Sequence, residues 1–210
     1  MRRRLMLRNA TGGGGVLPPE YQQVDYIESS RTQWLKIPYS PSDNDTITVI
    51  TKLTSYTDAN YGFYGAQVGG AVIMFGGDKN ETQFFTQTPV GSWLYTGLVS
   101  LDKITINLDL ANSIVSVDGS DYSISGHRIG TTVFQNGMAL FGILRPSSTA
   151  ARLVSAKIYS FYAEANGVSI ISLIPCYRKS DGVIGMYDTV SGAFFTNAGT
   201  GAFTKGADVN

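Results

Sequence analysis

His127 is the only histidine and Cys176 the only cysteine of the 210 residues. Imidazole clusters, thiolate zinc sites and intrachain disulfides are therefore excluded. His127 stands in Ser125-Gly-His-Arg-Ile129. As a general base it needs a nucleophile and an orienting acid. Asp121, Ser123 and Ser125 supply the residue types but no motif, so His127 reads as a surface-loop histidine. A metal would have to be an oxygen-liganded calcium. Asp43-Asn44-Asp45 is followed by Thr46-Ile47, which breaks the alternating oxygens of a calcium loop and suits a turn made by Asx side chains instead. Calcium at Asp78-Lys79-Asn80 stays open, and no cofactor is expected. Gly12 to Gly15 lacks the Lys-Ser/Thr of a phosphate loop, and Gly69-Gly70 and Gly76-Gly77 flank a short apolar strand rather than open a helix. Aromatic side chains remain. Trp34, Tyr56, Tyr61, Tyr64, Trp93 and Tyr95 fall in or beside expected loops, where rings can stack on a sugar while acids and amides bond its hydroxyls. Residues 58–93 are the richest in glycines, amides and rings together, which makes Tyr61, Tyr64, Asp78, Asn80 and Trp93 the candidate glycan contacts. Each ring would serve equally well in a hydrophobic core.

The elements that must position these groups are strands. Apolar residues make up 43% of the chain and charged residues 15%, with 24 glycines, a composition that excludes disorder of the bulk and coiled coils. No apolar run is long enough to cross a bilayer as a helix. Turn residues recur about every eight to twelve positions, with Val, Ile, Thr, Tyr and Phe between them. In Lys103-Ile-Thr-Ile-Asn-Leu-Asp-Leu110 the isoleucines and leucines share one face, and Thr105, Asn107 and Asp109 the other. Residues 113–118 return from a turn at Ala111-Asn112, and Asp118-Gly119 opens the next, so 103–125 reads as an antiparallel meander. In 152–165, Val154, Ala156 and Ile158 alternate with Ser155, Lys157 and Tyr159, a period of two that reads as a central strand over 153–162 rather than a helix. Further strands are expected at 32–37, 46–53, 61–66, 71–75, 81–86, 92–96, 131–134, 138–144, 168–175, 185–187 and 193–195. So many short antiparallel strands must fold over one another, and the fold expected is an all-β, two-sheet jelly-roll sandwich.

Residues 1–16 stand apart from this domain of residues 17–210. Arg2, Arg3, Arg4 and Arg8 are followed by the four consecutive glycines, which read as a flexible basic arm on a hinge. Three apolar residues, Leu5-Met-Leu7, are too few for the core of a secretory signal. The formal net charge is zero, but with four of the sixteen basic residues in the arm the remainder is acidic in balance. That sign argues against nucleic acid as a partner, and the arm lacks the amphipathic length of a membrane-surface helix.

Three stretches carry a resemblance. Leu17-Pro-Pro-Glu-Tyr-Gln-Gln-Val-Asp-Tyr-Ile-Glu-Ser-Ser-Arg-Thr-Gln33 resembles the opening of concanavalin A-like, laminin-G-like jelly-roll domains of tailed-phage structural proteins and gut-bacterial surface proteins. Ile104 to Gly119, Leu140-Phe-Gly-Ile143 and Val154-Ser-Ala-Lys-Ile-Tyr159 are similar to the middle of those domains. Ile174-Pro-Cys, Ile184-Gly-Met-Tyr-Asp188 and Phe194-Phe-Thr-Asn-Ala-Gly-Thr-Gly201 are similar to their close. The chain departs from the pattern at Arg31, where a glycine is common, and at Trp34-Leu-Lys36. Glucanases of this jelly roll carry Glu-x-Asp-x-x-Glu on a strand, and the nearest match, Gln23-Val-Asp25-Tyr-Ile-Glu28, has an amide in place of the nucleophile.

The resemblance implies a non-enzymatic virion component, such as a head fibre, decoration protein or tail-associated lectin. It would be homo-oligomeric, attached to capsid or tail proteins through Arg2, Arg3, Arg4 and Arg8, and able to bind host or mucosal glycans. The alternatives are a carbohydrate-binding module of a bacterial surface protein and, from another class, a glycoside hydrolase. Deleting residues 2–15 is expected to abolish incorporation into particles while leaving the thermal midpoint unchanged; normal incorporation of the deletion variant would overturn the docking role of the arm.

Overall fold

The computed structural model describes residues 17–55, 60–78, 83–91 and 94–210, so the arm lies outside the described residues. In chain order the first strands are β1 (Tyr21–Gln23), β2 (Ile27–Ser30), β3 (Leu35–Ile37), β4 (Asp45–Leu53), β5 (Tyr61–Val68), β6 (Ala71–Gly77) and β7 (Gln83–Gln87). There follow β8 (Leu94–Leu98), β9 (Lys103–Asp109), β10 (Ile114–Val117), β11 (Ser120–Ser123), β12 (Met138–Leu140), β13 (Ile143–Leu144) and β14 (Ala150–Ala151). The last are β15 (Ser155–Ala165), β16 (Val168–Arg178), β17 (Ile184–Asp188), β18 (Phe194–Thr196) and β19 (Thr204–Lys205). No helix occurs among the described residues.

The strands form two sheets. The larger runs β11-β10-β9-β4-β15-β16-β17-β18, with β1 on β16, β2 on β15 and β19 on β2. The smaller runs β14-β13-β5-β6-β7-β8, with β12 between β3 and β5. The two clasp one core, an all-β sandwich of the class that the sequence pattern predicts. Alternation supplies it: Ile47 and Val49 of β4, Ile104, Ile106 and Leu108 of β9, and Ala156, Ile158 and Phe161 of β15 are buried. Opposite them the rings of Phe63, Phe75 and Phe84 pack at centroid separations of 5.8 to 6.5 Å. Tyr64 meets Phe161 edge-on at 5.8 Å and joins the layers. Each such side chain contributes about 1.5–3 kcal/mol through burial.

The centre of the larger sheet is a fork. Asn166 and Gly167, with φ of 52° and 77°, make the tight turn between β15 and β16. These strands pair from Ala165/Val168 as far as Phe161/Leu173 and then part. Beyond that point β15 pairs with β2 and β16 with β1, both antiparallel. Because β15 and β16 run in opposite directions, β1 and β2 must do so too, and the chain reverses between them at Val24 to Tyr26. The C-terminal segment repeats the reversal inside this one: Thr204 and Lys205 pair with Glu28 and Ile27, and Asp208 bridges Val24. At the vertex the Gly206 amide donates to the Tyr26 carbonyl and the Asp25 amide to the Ala207 carbonyl, each at 2.9 Å. A Cβ on Gly206 would lie 2.8 Å from the Tyr26 ring. Pro175 sits where β15 leaves β16; its carbonyl accepts from Val24, and its missing N–H falls where no strand needs a donor.

Two expected strands differ. Residues 131–134 are irregular although rich in β-branched residues. The Thr132 amide closes a turn on the Ile129 carbonyl and the Phe134 amide donates to Ser40 Oγ, while Asp43 accepts from the amides of Ile129 and Gly130 just before the stretch; the Phe134 ring plugs the core. The expected strand 138–144 breaks into β12 and β13 at Phe141, which has a φ of 66°. The meander 103–125 appears as β9, β10 and β11, with Asp118 and Gly119 both at positive φ.

Arg31 also lies in the left-handed region, at 74°, a conformation that glycine adopts without the Cβ penalty. Arg31→Gly is expected to raise stability by about 1 kcal/mol, read from denaturant unfolding. Arg31→Ala keeps a Cβ and is expected to give no gain.

Candidate functional site

Of the candidate glycan contacts, the three within the described residues, Tyr61, Tyr64 and Asp78, are buried. Tyr61 and Tyr64 are fully buried in the core, and burial pushes the Tyr64 phenol far above its usual range. They cannot present rings to a ligand. The physical reason is a bulge between Gly62 and Tyr64 of β5, so that the period of two fails and Tyr61, Phe63 and Tyr64 are all interior. Asp78, the residue after β6, is 6% exposed, with its carboxylate accepting from the Gln83 amide at 3.3 Å. Asn80, Trp93 and Tyr56 lie outside the described residues. Trp34 is buried.

The other candidates have structural work. Asp43 ties the loop after β11, as above. Asp45 is buried and accepts from the Tyr39 hydroxyl at 2.7 Å and the Ser42 amide at 3.0 Å, an Asx-type tie. Among the described residues no group of three or more His, Cys, Asp or Glu is gathered for a metal. His127 packs its ring against Gly91 in a turn. The Cys176 thiol is pushed up to about 12 by burial, which makes it a poor nucleophile at neutral pH. Asp25 is exposed at the vertex of the fork, and Glu28 lies 3.9 Å from Lys157.

A cleft of about 440 Å³ opens between residues 181–184 and 196–203. Its wall is organised by Asn197, whose Oδ1 accepts from the amides of Trp34 at 3.2 Å and Gly199 at 2.8 Å, while its Nδ2 donates to the Gly201 carbonyl at 2.9 Å. Gly199 is required, since a Cβ there would lie 2.1 Å from the Thr32 carbonyl. Asp181, on the rim, is held by Arg178 at 2.6 Å and by the Val183 amide. The hydrogen bonds from Arg178 keep its carboxyl below the usual range. Asp181 and Asn197 of this cleft are thus engaged with the protein itself.

The outer face of the larger sheet is different. Lys103 of β9, Lys52 of β4, Lys157 of β15 and Glu28 of β2 are directly opposed in register, so they share one face. The next row inward, Ile104, Thr51, Ile158 and Ile27, is buried. A bulge in β15 between Ile158 and Ser160 adds Tyr159, a half-exposed ring, beside this row. Tyr26, delivered by the chain reversal at the fork, meets Tyr159 edge-on at 5.4 Å. The Lys103 ammonium lies 3.9 Å from the Tyr159 centroid, and Lys157 lies 4.1 Å from that of Tyr26 while donating to its hydroxyl at 3.0 Å. That hydrogen bond is the main cause holding the Lys157 ammonium above its ordinary pKa, with Glu28 adding to it and desolvation opposing. Burial raises the Tyr159 phenol, against the pull of Lys157. Two rings and three cations on a rigid sheet face form a platform suited to stacking and hydrogen bonding. The period of two in the sequence groups Lys157 with Tyr159; their meeting with Tyr26, more than a hundred residues earlier, comes from pairing that no local pattern encodes.

No family model matches the chain, and no curated protein matches it. Among solved structures, a protein from Bacteroides ovatus named a "putative carbohydrate binding protein" is similar with a TM-score of 0.53 at 10% identity, over 90% of this chain and 62% of that one. That likeness is one of fold. Trypanosoma rangeli sialidase, in complex with 2,3-difluorosialic acid, is similar at 14% identity and a TM-score of 0.47, over 71% of this chain and 27% of its own. A mutant of the same sialidase displaying trans-sialidase activity gives 18% identity and the same score, over 60% of this chain and 21% of its own. This chain therefore spans less than two thirds of each.

Asn197→Ala and Gly199→Ala are each expected to cost about 2 kcal/mol or more, the first by orphaning two amides and a carbonyl and the second by a backbone clash. Equilibrium unfolding checks both; wild-type stability in either variant would overturn the account of the cleft wall.

Proposed function

We propose that this protein is a carbohydrate-binding β-sandwich module whose ligand lies on the outer face of the larger sheet. The observation that carries the reading is the pair of half-exposed rings, Tyr26 and Tyr159, edge-to-face at 5.4 Å and flanked by lysines on adjacent strands. A sugar presents an apolar C–H face and a rim of hydroxyls; a tyrosine ring suits the first, and ammonium and phenol groups the second. The B. ovatus protein supports the reading at the level of fold, and fold alone does not deliver a ligand. The proposal is one of binding without a catalytic step.

Attachment is the second part of the proposal. In the virion reading the basic arm, with Arg2, Arg3, Arg4 and Arg8, docks on capsid or tail proteins; in the cell-surface reading the same module is carried by a bacterial protein. In both, repeated copies turn weak sugar contacts into firm adhesion through effective concentration.

A glycan array probed with the full chain is expected to give binding that Tyr159→Ala weakens roughly tenfold, about 1.4 kcal/mol, while Tyr159→Phe keeps it within about twofold because the ring remains. An array silent for the wild type, or binding indifferent to Tyr159→Ala, would overturn the reading.

A further inference from the structure

The lysine row carries more than the rings do. Lys103, Lys52 and Lys157 stand directly opposite one another on three neighbouring strands, an arrangement that is destabilising by itself because like charges face each other across the ladder. Strand spacing of about 4.8 Å puts the outer two backbones roughly 10 Å apart. The carboxylates beside the cluster are Glu28, 3.9 Å from Lys157, and Asp25, which acts on Tyr159 from further away. Among the described residues neither Lys52 nor Lys103 has a carboxylate within ion-pair distance. The Lys103 ammonium leans on the Tyr159 ring, a contact that leaves its other donors open. Two cations without a carboxylate partner thus stand beside an aromatic platform on a domain that, beyond residue 16, is acidic in balance.

From this we infer that the ligand of the face is an acidic polysaccharide, with anionic groups neutralising Lys52 and Lys103 while sugar rings lie against Tyr159 and Tyr26. The inference rests on the carbohydrate reading above and deepens it to a ligand class. Carboxylate and sulfate share the chemistry that the lysines recognise. A bound anion removes the repulsion along the row, so ligand and fold are stabilised by the same contact. A neutral glycan would leave the two ammonium groups unneutralised.

Affinity electrophoresis of the full chain tests this, in gels containing polygalacturonate, dextran sulfate or neutral dextran. Retardation is expected in one or both acidic gels and not in dextran, and it is expected to fall steeply as salt rises; which acidic gel retards more distinguishes carboxylate from sulfate. Lys52→Gln/Lys103→Gln should lose at least tenfold in retardation with an unchanged or raised thermal midpoint, since the substitution relieves repulsion on the surface. Lys36→Gln/Lys179→Gln removes the same charge elsewhere and should stay within twofold of the wild type. If the control pair weakens retardation equally, attraction is diffuse and the inference fails. If dextran retards the chain as strongly, or the lysine variant behaves as wild type, the acidic class is wrong while the carbohydrate reading stands. If no acidic gel retards the chain, the inference fails, and the array result with Tyr159→Ala decides the broader reading by itself.

Discussion

The parting of β15 and β16 is the constraint on which the larger sheet depends. Two antiparallel strands that diverge in the middle of a sheet expose two rows of backbone donors and acceptors to the interior, where unpaired groups are costly. The chain fills the gap with its own ends. The reversal from β1 to β2 takes up one row on each side, and the reversal from β19 to Asp208 fits inside it. Pro175 and Gly206 are local adjustments to this geometry, one lacking a donor where none is wanted and the other lacking a side chain where Tyr26 comes close. Segments at opposite ends of the sequence are thereby locked together at the middle of the domain, and neither end can be released without reopening the fork.

The candidate site inherits its form from this arrangement. Tyr26 reaches the outer face because the chain turns at the fork, and Tyr159 reaches it because β15 bulges as it passes from pairing with β2. The bulge lies on the central strand, between β4 and the fork, so the ring is carried by rigid backbone and not by a loop. A ring held in this way loses little further freedom on meeting a ligand, which favours affinity from a small contact area. The cleft below β17 and β18 is the contrasting case. Its wall needs Asn197 and Gly199 to exist at all, and polar atoms spent on holding a wall are not free to hold a ligand.

What could be read from the sequence follows the range of the interaction concerned. The strand at 103–110 and the Asp118-Gly119 turn were legible because alternation and turn chemistry are local, and the period of two that marks β15 as a strand was legible for the same reason. Tyr61 and Tyr64 misled because a bulge ends the period of two and because the smaller sheet buries both of its faces around them. Met74, Phe85 and Ile143 form a second small cluster apart from the main core. Residues 131–134 misled in another way. Their composition favours a strand, but the Thr132 amide is taken up by the Ile129 carbonyl in a turn and the Phe134 amide by Ser40 Oγ, so neither is left for a ladder. The nested pairing at the fork joins residues near 25, 160, 175 and 206, and such contacts leave no trace in any window of the sequence.

The opposed lysines show how stability and recognition compete on one surface. A sheet face selected for stability alone would alternate charges across neighbouring strands, as Lys157 and Glu28 do. One strand further on the alternation stops, and Lys52 faces lysines on both sides. The repulsion is tolerable because the row beneath is buried: Ile104, Ile158 and Thr51, whose hydroxyl donates to the Lys157 carbonyl, anchor the same three strands from the inside. A strongly packed interior can carry an unfavourable exterior, and an exterior left unbalanced retains attraction for whatever balances it. The depth of the core and the readiness of the face are in this sense one property of the sheet, since the alternation that buries the isoleucines is what turns the lysines outward together.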